Sequence, residues 1–523
     1  MKSLKERTAT GIFWGGLNTF SQQLVQLVFG IVMARILMPD DYGLIGMISV
    51  FTLVANTLQE SGFSSTLIKM QAPTKEDYAS VFWFNVFISL VIYLILFVSA
   101  PAIAGFFDQP VLVDYSRVVF LSFVFNALGI IQNAILTKQI AQKQLAMVNL
   151  GSILLSCVLG LTFALLDFAH WAIAIQAVSL SFFRTLLLWM MSDWRPEASF
   201  HLPALKRMFP FSVKLLFSGV ITQLAGGAYS LFLGKYYDAE QVGYYTQANK
   251  WYTIPYSIVY GIINTLALPV LSEISNETER QRAVFRKMMR FTAFISFPMI
   301  LGLAFIAKEF ILVMVTAKWL GAVVILQILC IWGAFVPMYS LYVNVMISRG
   351  HPGVNLIFSL VNGCLLLATI VATVHLGVVK LLLFTTAINL LTLGAYFVVA
   401  WRLLRFGLTD FIRDVLPFGF ITVAVFLVVS LLLKPVDNIY LLLILKILLS
   451  ALLYVGVMKL LRVVILEEIL GYFSGMKRKF AVQKKNDETI YSKRTGLLSA
   501  TVPSITRKRC VVGKRVYVID QCG

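Results

Sequence analysis

Three cations interrupt stretches that are otherwise apolar. Arg184 stands about 13 residues, roughly 20 Å at the helical rise, into a run over 171–192. Lys250 lies nearly two turns into a run over 244–271, and Lys446 about two turns into one over 438–461. A charge set in hydrocarbon is costly, so such residues default to functional candidates. A guanidinium grips a phosphate through two parallel bonds, whereas an ammonium acts as a point charge. Arg184 and Lys250 therefore point to an anionic ligand held at membrane depth. Arg35 and Lys235 end the runs over 11–35 and 211–235 and join the cavity candidates. For that pair a helix dipole and snorkelling are a competing account. Lys446 has a partner helix as its competing account.

Neutral polar residues extend the pattern. Asn18, Gln22 and Gln26 recur every four residues and so share one helix face. That stripe suits a hydrated cavity, and equally suits hydrogen bonds between helices. Asn56, Gln59 and Glu60 carry polarity into the next run. Glu60 is the best acid for coupling to protons or sodium, with a structural pairing to Lys69 as its rival. Asp40 and Asp41 fit helix capping, and Gly62 and Gly243 fit close packing or a bend. The five cysteines form no CxxC motif, and the four histidines are scattered, so no metal and no cofactor is expected. No Walker lysine motif, nucleophile–base pair or acid pair stands out, which argues against an enzyme.

The elements that must position these residues follow from composition. Of 523 residues, 59% are hydrophobic and 13% charged. A soluble domain averages roughly half apolar and a quarter charged, so the chain reads as an all-α polytopic membrane protein. Fourteen runs are long enough to span: 11–35, 44–68, 80–105, 111–136, 145–168, 171–192, 211–235, 244–271, 291–315, 321–347, 353–376, 379–401, 414–433 and 438–461. The fifth and sixth, and the eleventh and twelfth, have the shortest connections. The first run follows Lys2, Lys5 and Arg7 and reads as a retained helix. The net charge of +19 needs no nucleic acid: 25 cations fall on the side of the N-terminus against 7 on the other. Both termini are thus expected in the cytoplasm. The charged stretch Ser272–Arg290 suggests a short surface helix. Residues 481–523 are polar and basic, and read as a tail that is disordered or foreign to the fold.

A shift of 200 residues places Ala34-Arg35 on Gly234-Lys235, Asp40 on Glu240, Gly43 on Gly243 and Gln23 on Gln223. The offset equals six runs, an even number, so two parallel six-helix halves are expected, with a binding site between them. The expected divisions are 1–207, 208–405, two added helices in 406–480, and the tail.

Pro39-Asp40-Asp41-Tyr42-Gly43 resembles the P-x-x-[FY]-G signature of bacterial polysaccharide transporters. Glu60-Ser61-Gly62-Phe63, Gly243-Tyr244-Tyr245-Thr246-Gln247-Ala248, Leu268-Pro269-Val270-Leu271-Ser272, and Lys318-Trp319 followed by Leu326-Gln327-Ile328-Leu329 are similar to that family's later blocks. Order and spacing match over about residues 1–480. The chain thus resembles the Wzx-like flippases, in the polysaccharide branch of the multidrug/oligosaccharidyl-lipid/polysaccharide superfamily. The resemblance implies transport of an undecaprenyl-pyrophosphate-linked oligosaccharide by alternating access in the bacterial inner membrane. It implies work beside membrane lipid and polysaccharide polymerase and chain-length proteins. The cations would serve the pyrophosphate, and the helix-1 stripe the sugars. A cation-coupled multidrug antiporter of the same superfamily is the near rival, and it would favour acids in the cavity. A membrane polysaccharide polymerase or ligase is the rival from another class, and it would want a large outer loop or a catalytic constellation.

Overall fold

The computed structural model describes residues 4–60, 63–70, 73–139, 141–461, 463, 465–466, 509–512 and 515–518. Two compact units result, Met1–Tyr454 and Val455–Gly523. The first is all-α. Its helices are α1 (Leu4–Ile36), α2 (Pro39–Glu60), α3 (Phe63–Lys69), α4 (Lys75–Phe107), α5 (Leu112–Lys138), α6 (Gln142–Leu165) and α7 (Ala169–Met191). There follow α8 (Leu202–Tyr236), α9 (Ala239–Glu273) and α10 (Thr278–Ser296), then a broken stretch containing α11 (Gly302–Phe305) and α12 (Ala307–Phe310). The remainder are α13 (Gly321–Gly333), α14 (Val336–Ser348), α15 (Pro352–Thr373), α16 (Val378–Leu404), α17 (Leu408–Asp414), α18 (Leu416–Leu432) and α19 (Ile439–Leu460), whose residues from Val455 on belong to the second unit. Among the described residues 13 segments are long and apolar enough to cross a membrane. The run expected over 211–235 coincides with α8, a further helix of 35 residues. Large side chains such as Leu94, Ile95 and Val98 on α4 stand exposed, as lipid contact requires.

The two shortest connections do separate helices. Between α6 and α7 the chain turns through left-handed backbone at Asp167 and Ala169. Between α15 and α16 it turns at Gly377, whose φ of 97° suits glycine. The start of α4 is fixed by a capping box, with Thr74 and Asp77 each accepting from the other's backbone N–H. Pro255 and Pro269 lie inside α9, and each removes one backbone hydrogen bond from the ladder.

Helices α2 and α9 approach each other closely. A methyl group on Gly43 would collide with the Ala239 carbonyl, and one on Gly243 with the Pro39 carbonyl. The 200-residue shift maps this contact onto itself, since Pro39 falls on Ala239 and Gly43 on Gly243. The absence of side chains lets the two backbones touch, as small residues do between membrane helices. Gly243 thus serves the close packing expected of it.

The charged stretch before the ninth span is not a separate surface helix. It forms the first turns of α10, which continues through a π-helical turn at Phe297–Leu301. There Arg282, Arg286 and Arg290 face Asp410 and Asp414 of α17. Arg282 reaches Asp410 at 2.6 Å, and Arg286 Nε and Arg290 Nη2 each reach Asp414 at 2.6 Å. The Asp414 side chain is fully buried. Removing one member of a buried ion network leaves the others uncompensated, at about 3–5 kcal/mol. Asp414→Ala is therefore expected to lower the thermal unfolding midpoint of the solubilised protein sharply. Glu279→Ala, on an exposed turn of α10, is expected to leave it unchanged.

In the second unit two antiparallel strands, β1 (Arg509–Val512) and β2 (Arg515–Val518), pair with Arg509 opposite Val518. The expected tail thus contains a strand pair. Its sequence signal is a run of valines around Gly513.

Candidate functional site

Arg184 projects from α7 into a cavity of about 270 Å³. Asn56 and Gln59 of α2, Asn126 and Asn133 of α5, and Thr185 of α7 supply the rest of its polar lining. Two of these are held by backbone: Gln59 donates to the Phe123 carbonyl at 2.6 Å, and Thr185 to the Phe125 carbonyl at 2.7 Å. Gly129 lets α5 pack against α7, since a methyl there would come within 2.9 Å of the Thr185 hydroxyl. The result is a set of amides around one guanidinium. Such a lining can hydrate and bind an anion, because every amide N–H and guanidinium N–H is a donor. Asn126 and Asn133 are absent from the sequence-based candidates. Their spacing of seven, two helical turns, was the available signal.

Lys250 is not in that cavity. It lies on α9 beside α1, where a methyl on Gly30 would come within 2.7 Å of Nζ. Its ammonium stands 6.0 Å from the Tyr42 ring centroid, a cation–π distance. Gly30 thus makes room for a lysine that crosses from α9 to α1. On α1 the polar stripe is present: Gln22 donates to Asn18 at 2.7 Å, and Gln26 is exposed. Glu60 ends α2, and its side chain lies outside the described residues.

Arg35 and Lys235 sit at helix ends and bind protein groups there. The last carbonyls of a helix lack partners within it. Arg35 donates to the Met314 carbonyl at 2.8 Å and the Val313 carbonyl at 2.7 Å, at the end of the π-helical turn Ile311–Val315. In return Lys318 Nζ donates to the Arg35 carbonyl at 2.9 Å, and Trp319 Nε1 to the Ala34 carbonyl at 2.7 Å. Each helix end is capped by a cation from the other, and both cations lie at the negative ends of helix dipoles. Burial holds the Lys318 ammonium below its usual range, with the charge of Asp41 opposing. Lys235 pairs with Asp108, the left-handed cap of α4, at 3.2 Å. Arg35 and Lys235 thus share a structural theme, each tying its helix to the end of a distant one.

Lys446 has its partner helix. It pairs with Glu309 of α12 at 2.8 Å, both side chains nearly buried, and lies 4.5 Å from the Phe305 ring centroid. Among the described residues no group of three His, Cys, Asp or Glu is placed to hold a metal ion.

The chain matches the family model described as polysaccharide biosynthesis protein over residues 32–324. It is 26% identical over 370 residues to the teichuronic acid biosynthesis protein TuaB of Bacillus subtilis (strain 168), covering 70% of this chain and 76% of that protein. It is 25% identical over 428 residues to the lipopolysaccharide biosynthesis protein WzxC of Escherichia coli (strain K12), covering 80% and 86%. Its fold is similar to that of the lipid II flippase MurJ in an inward closed conformation, with a TM-score of 0.69 and 16% identity over 84% of this chain and 96% of that one.

Proposed function

This chain belongs to the polysaccharide biosynthesis protein family, and from that premise we propose that it is a flippase for lipid-linked oligosaccharide. The substrate is an undecaprenyl-pyrophosphate-linked repeat unit, moved from the cytoplasmic to the outer leaflet of the bacterial inner membrane. Both termini lie in the cytoplasm. Lipopolysaccharide, capsule or exopolysaccharide synthesis consumes the product, with polymerase and chain-length proteins as neighbours. The names of TuaB and WzxC, both polysaccharide biosynthesis proteins, support this class.

The observation that carries the reading is the cavity of amides around Arg184. A pyrophosphate with sugars is too polar to cross hydrocarbon unaided. It needs donors set inside the membrane, and this cavity supplies them. A cation-coupled antiporter would want carboxylates in that position, and amides and a guanidinium stand there instead.

Alternating access follows from the repeat. The halves 1–207 and 208–405 rock against each other, with 406–480 as additions; the Arg184 cavity travels with the first half, within which all its lining lies, and not between the halves as the repeat led one to expect. The contacts joining Arg35, Lys318 and Trp319 to distant helix ends, with the Gly43–Gly243 crossing, are on this reading the outer closure of the transporter. They must part to release substrate. Lys250, lying between α9 and α1, is the second cation met by the pyrophosphate, and the Asn18–Gln22–Gln26 stripe lines the route. Glu60 is the acid for any coupled ion.

Expressed in a cell lacking its own oligosaccharide flippase, the chain should restore surface glycan. Arg184→Gln is expected to reduce that export about tenfold or more, the loss of one charge-assisted pair. Arg184→Lys should keep part of it, because the charge remains and the fork is lost. Full export by folded Arg184→Gln and Lys250→Gln proteins would remove both residues from the site.

A further inference from the structure

The α9 helix carries three tyrosines one turn apart, Tyr252, Tyr256 and Tyr260, all half-buried. The first two rings stack at 5.6 Å with planes 9° apart, and the next pair stands at 5.3 Å and 43°. Tyr252 is seated on Gly333 of α13, where any side chain would strike its ring. One turn beyond Tyr260, Asn264 accepts from Asn344 of α14 at 3.0 Å. Beside them Tyr339 and Tyr396 meet edge to face at 4.8 Å, their hydroxyls 3.1 Å apart, and Tyr396 donates to Asn355 of α15. The strip is aromatic on its faces and rich in hydroxyls and amides at its edges.

A structural role alone is a poor account of this composition. Each tyrosine brings a hydroxyl that must be satisfied at membrane depth, a cost that phenylalanine or leucine would avoid. The repeat sharpens the point. A shift of 200 residues places Tyr252 on Thr52, Tyr256 on Asn56 and Tyr260 on Glu60. In α2 this row includes Asn56, which lines the cavity of Arg184. The same row of positions is therefore hydroxyl, amide and charged in one helix, and aromatic in its counterpart.

We infer that the Tyr256–Tyr260 strip of α9 is a carbohydrate subsite, which takes the sugar rings while the Arg184 cavity takes the anionic end of the same substrate. A pyranose offers a C–H face and a rim of hydroxyls. Tyrosine rings take the face, and phenolic and amide groups take the rim. The inference rests on the flippase reading and deepens it: specificity for the glycan is set on α9, and affinity for the carrier lipid's charge on α7.

The test uses the full-length protein in lipid nanodiscs and two probes. One is undecaprenyl pyrophosphate; the other is the same lipid bearing the repeat unit whose export the chain restores. Wild type should bind the glycosylated probe more tightly. Tyr256→Leu with Tyr260→Leu should lose about tenfold in affinity for the glycosylated probe and nothing for the bare one. Tyr256→Phe with Tyr260→Phe should keep most of the difference, because the ring faces remain. Nitration of Tyr256 and Tyr260 in the wild type, slowed by the glycosylated probe alone, reads the same contact without a variant. No preference for the glycosylated probe in wild type, or an unchanged preference in the leucine variant with unprotected tyrosines, overturns the inference and leaves the flippase reading standing. No binding of either probe by wild type overturns both.

Discussion

Replacing Gly43 by alanine, or Gly243 by alanine, is expected to abolish glycan export while the protein still inserts in the membrane. Either methyl would press on a backbone carbonyl of the opposite helix, Ala239 in one case and Pro39 in the other. Backbone cannot swing aside as a flexible side chain can, so helices α2 and α9 must separate at the crossing. Overpacking of this kind costs about 1–3 kcal/mol and sometimes more. Each ~1.4 kcal/mol is a factor of ten in a conformational equilibrium. A clash confined to the closed arrangement therefore moves the population about tenfold to a hundredfold toward states with these helix ends apart. Gly105→Ala is the matched control, since a methyl there meets nothing within 4 Å. Surface glycan in complemented cells gives the readout, with membrane yield measured alongside. Normal export by Gly43→Ala would mean that the close crossing is dispensable.

The double variant Arg35→Ala with Lys318→Ala is expected to open the end of the bundle where α1 meets the Ile311–Val315 turn rather than unfold the chain. These two cations hold the ends of α1 and of the Ile311–Val315 turn to each other through four hydrogen bonds, the longest 3.4 Å. Bonds from charged donors contribute about 1.5–3 kcal/mol each when buried. Arg35 is exposed, so solvent screens these bonds below that range, and the four together contribute on the order of 3 kcal/mol. Their loss shifts the balance between states with this end closed and open by roughly a hundredfold. Spin labels at exposed Met38 and Leu320, in a cysteine-free background, would report it as a longer distance distribution. An unchanged distribution would show that the glycine crossing and Trp319 suffice to close this end.

Much of this arrangement was legible in the residues. Apolar run length gave the helices, because a bilayer leaves the backbone no other partner than itself. The 200-residue shift found Gly43 and Gly243, and both proved to lie at one contact. Arg184 was found because a guanidinium in an apolar run is expensive, and that cost is local to the sequence. What escaped was pairing between distant positions. Lys446 looks solitary until Glu309 is seen beside it, and Arg286 looks like one more cytoplasmic cation until Asp414 is placed against it. No periodicity links such residues. The caps on α1 escaped for the same reason: Trp319 reaches Ala34 across most of the chain. The break at Asp167 and Ala169 carries no glycine, so its left-handed turn left no mark in composition.

The central claim is that this chain carries lipid-linked oligosaccharide from one leaflet to the other. It is tested most directly in cells lacking their own oligosaccharide flippase, by asking which leaflet holds the lipid-linked unit. A membrane-impermeant reagent that labels the glycan supplies the readout. With the wild-type chain the glycan should become accessible from outside, and with Arg184→Gln most of it should stay inside. A unit that remains on the cytoplasmic side despite abundant folded protein, with ion-driven dye efflux appearing in its place, would contradict the account.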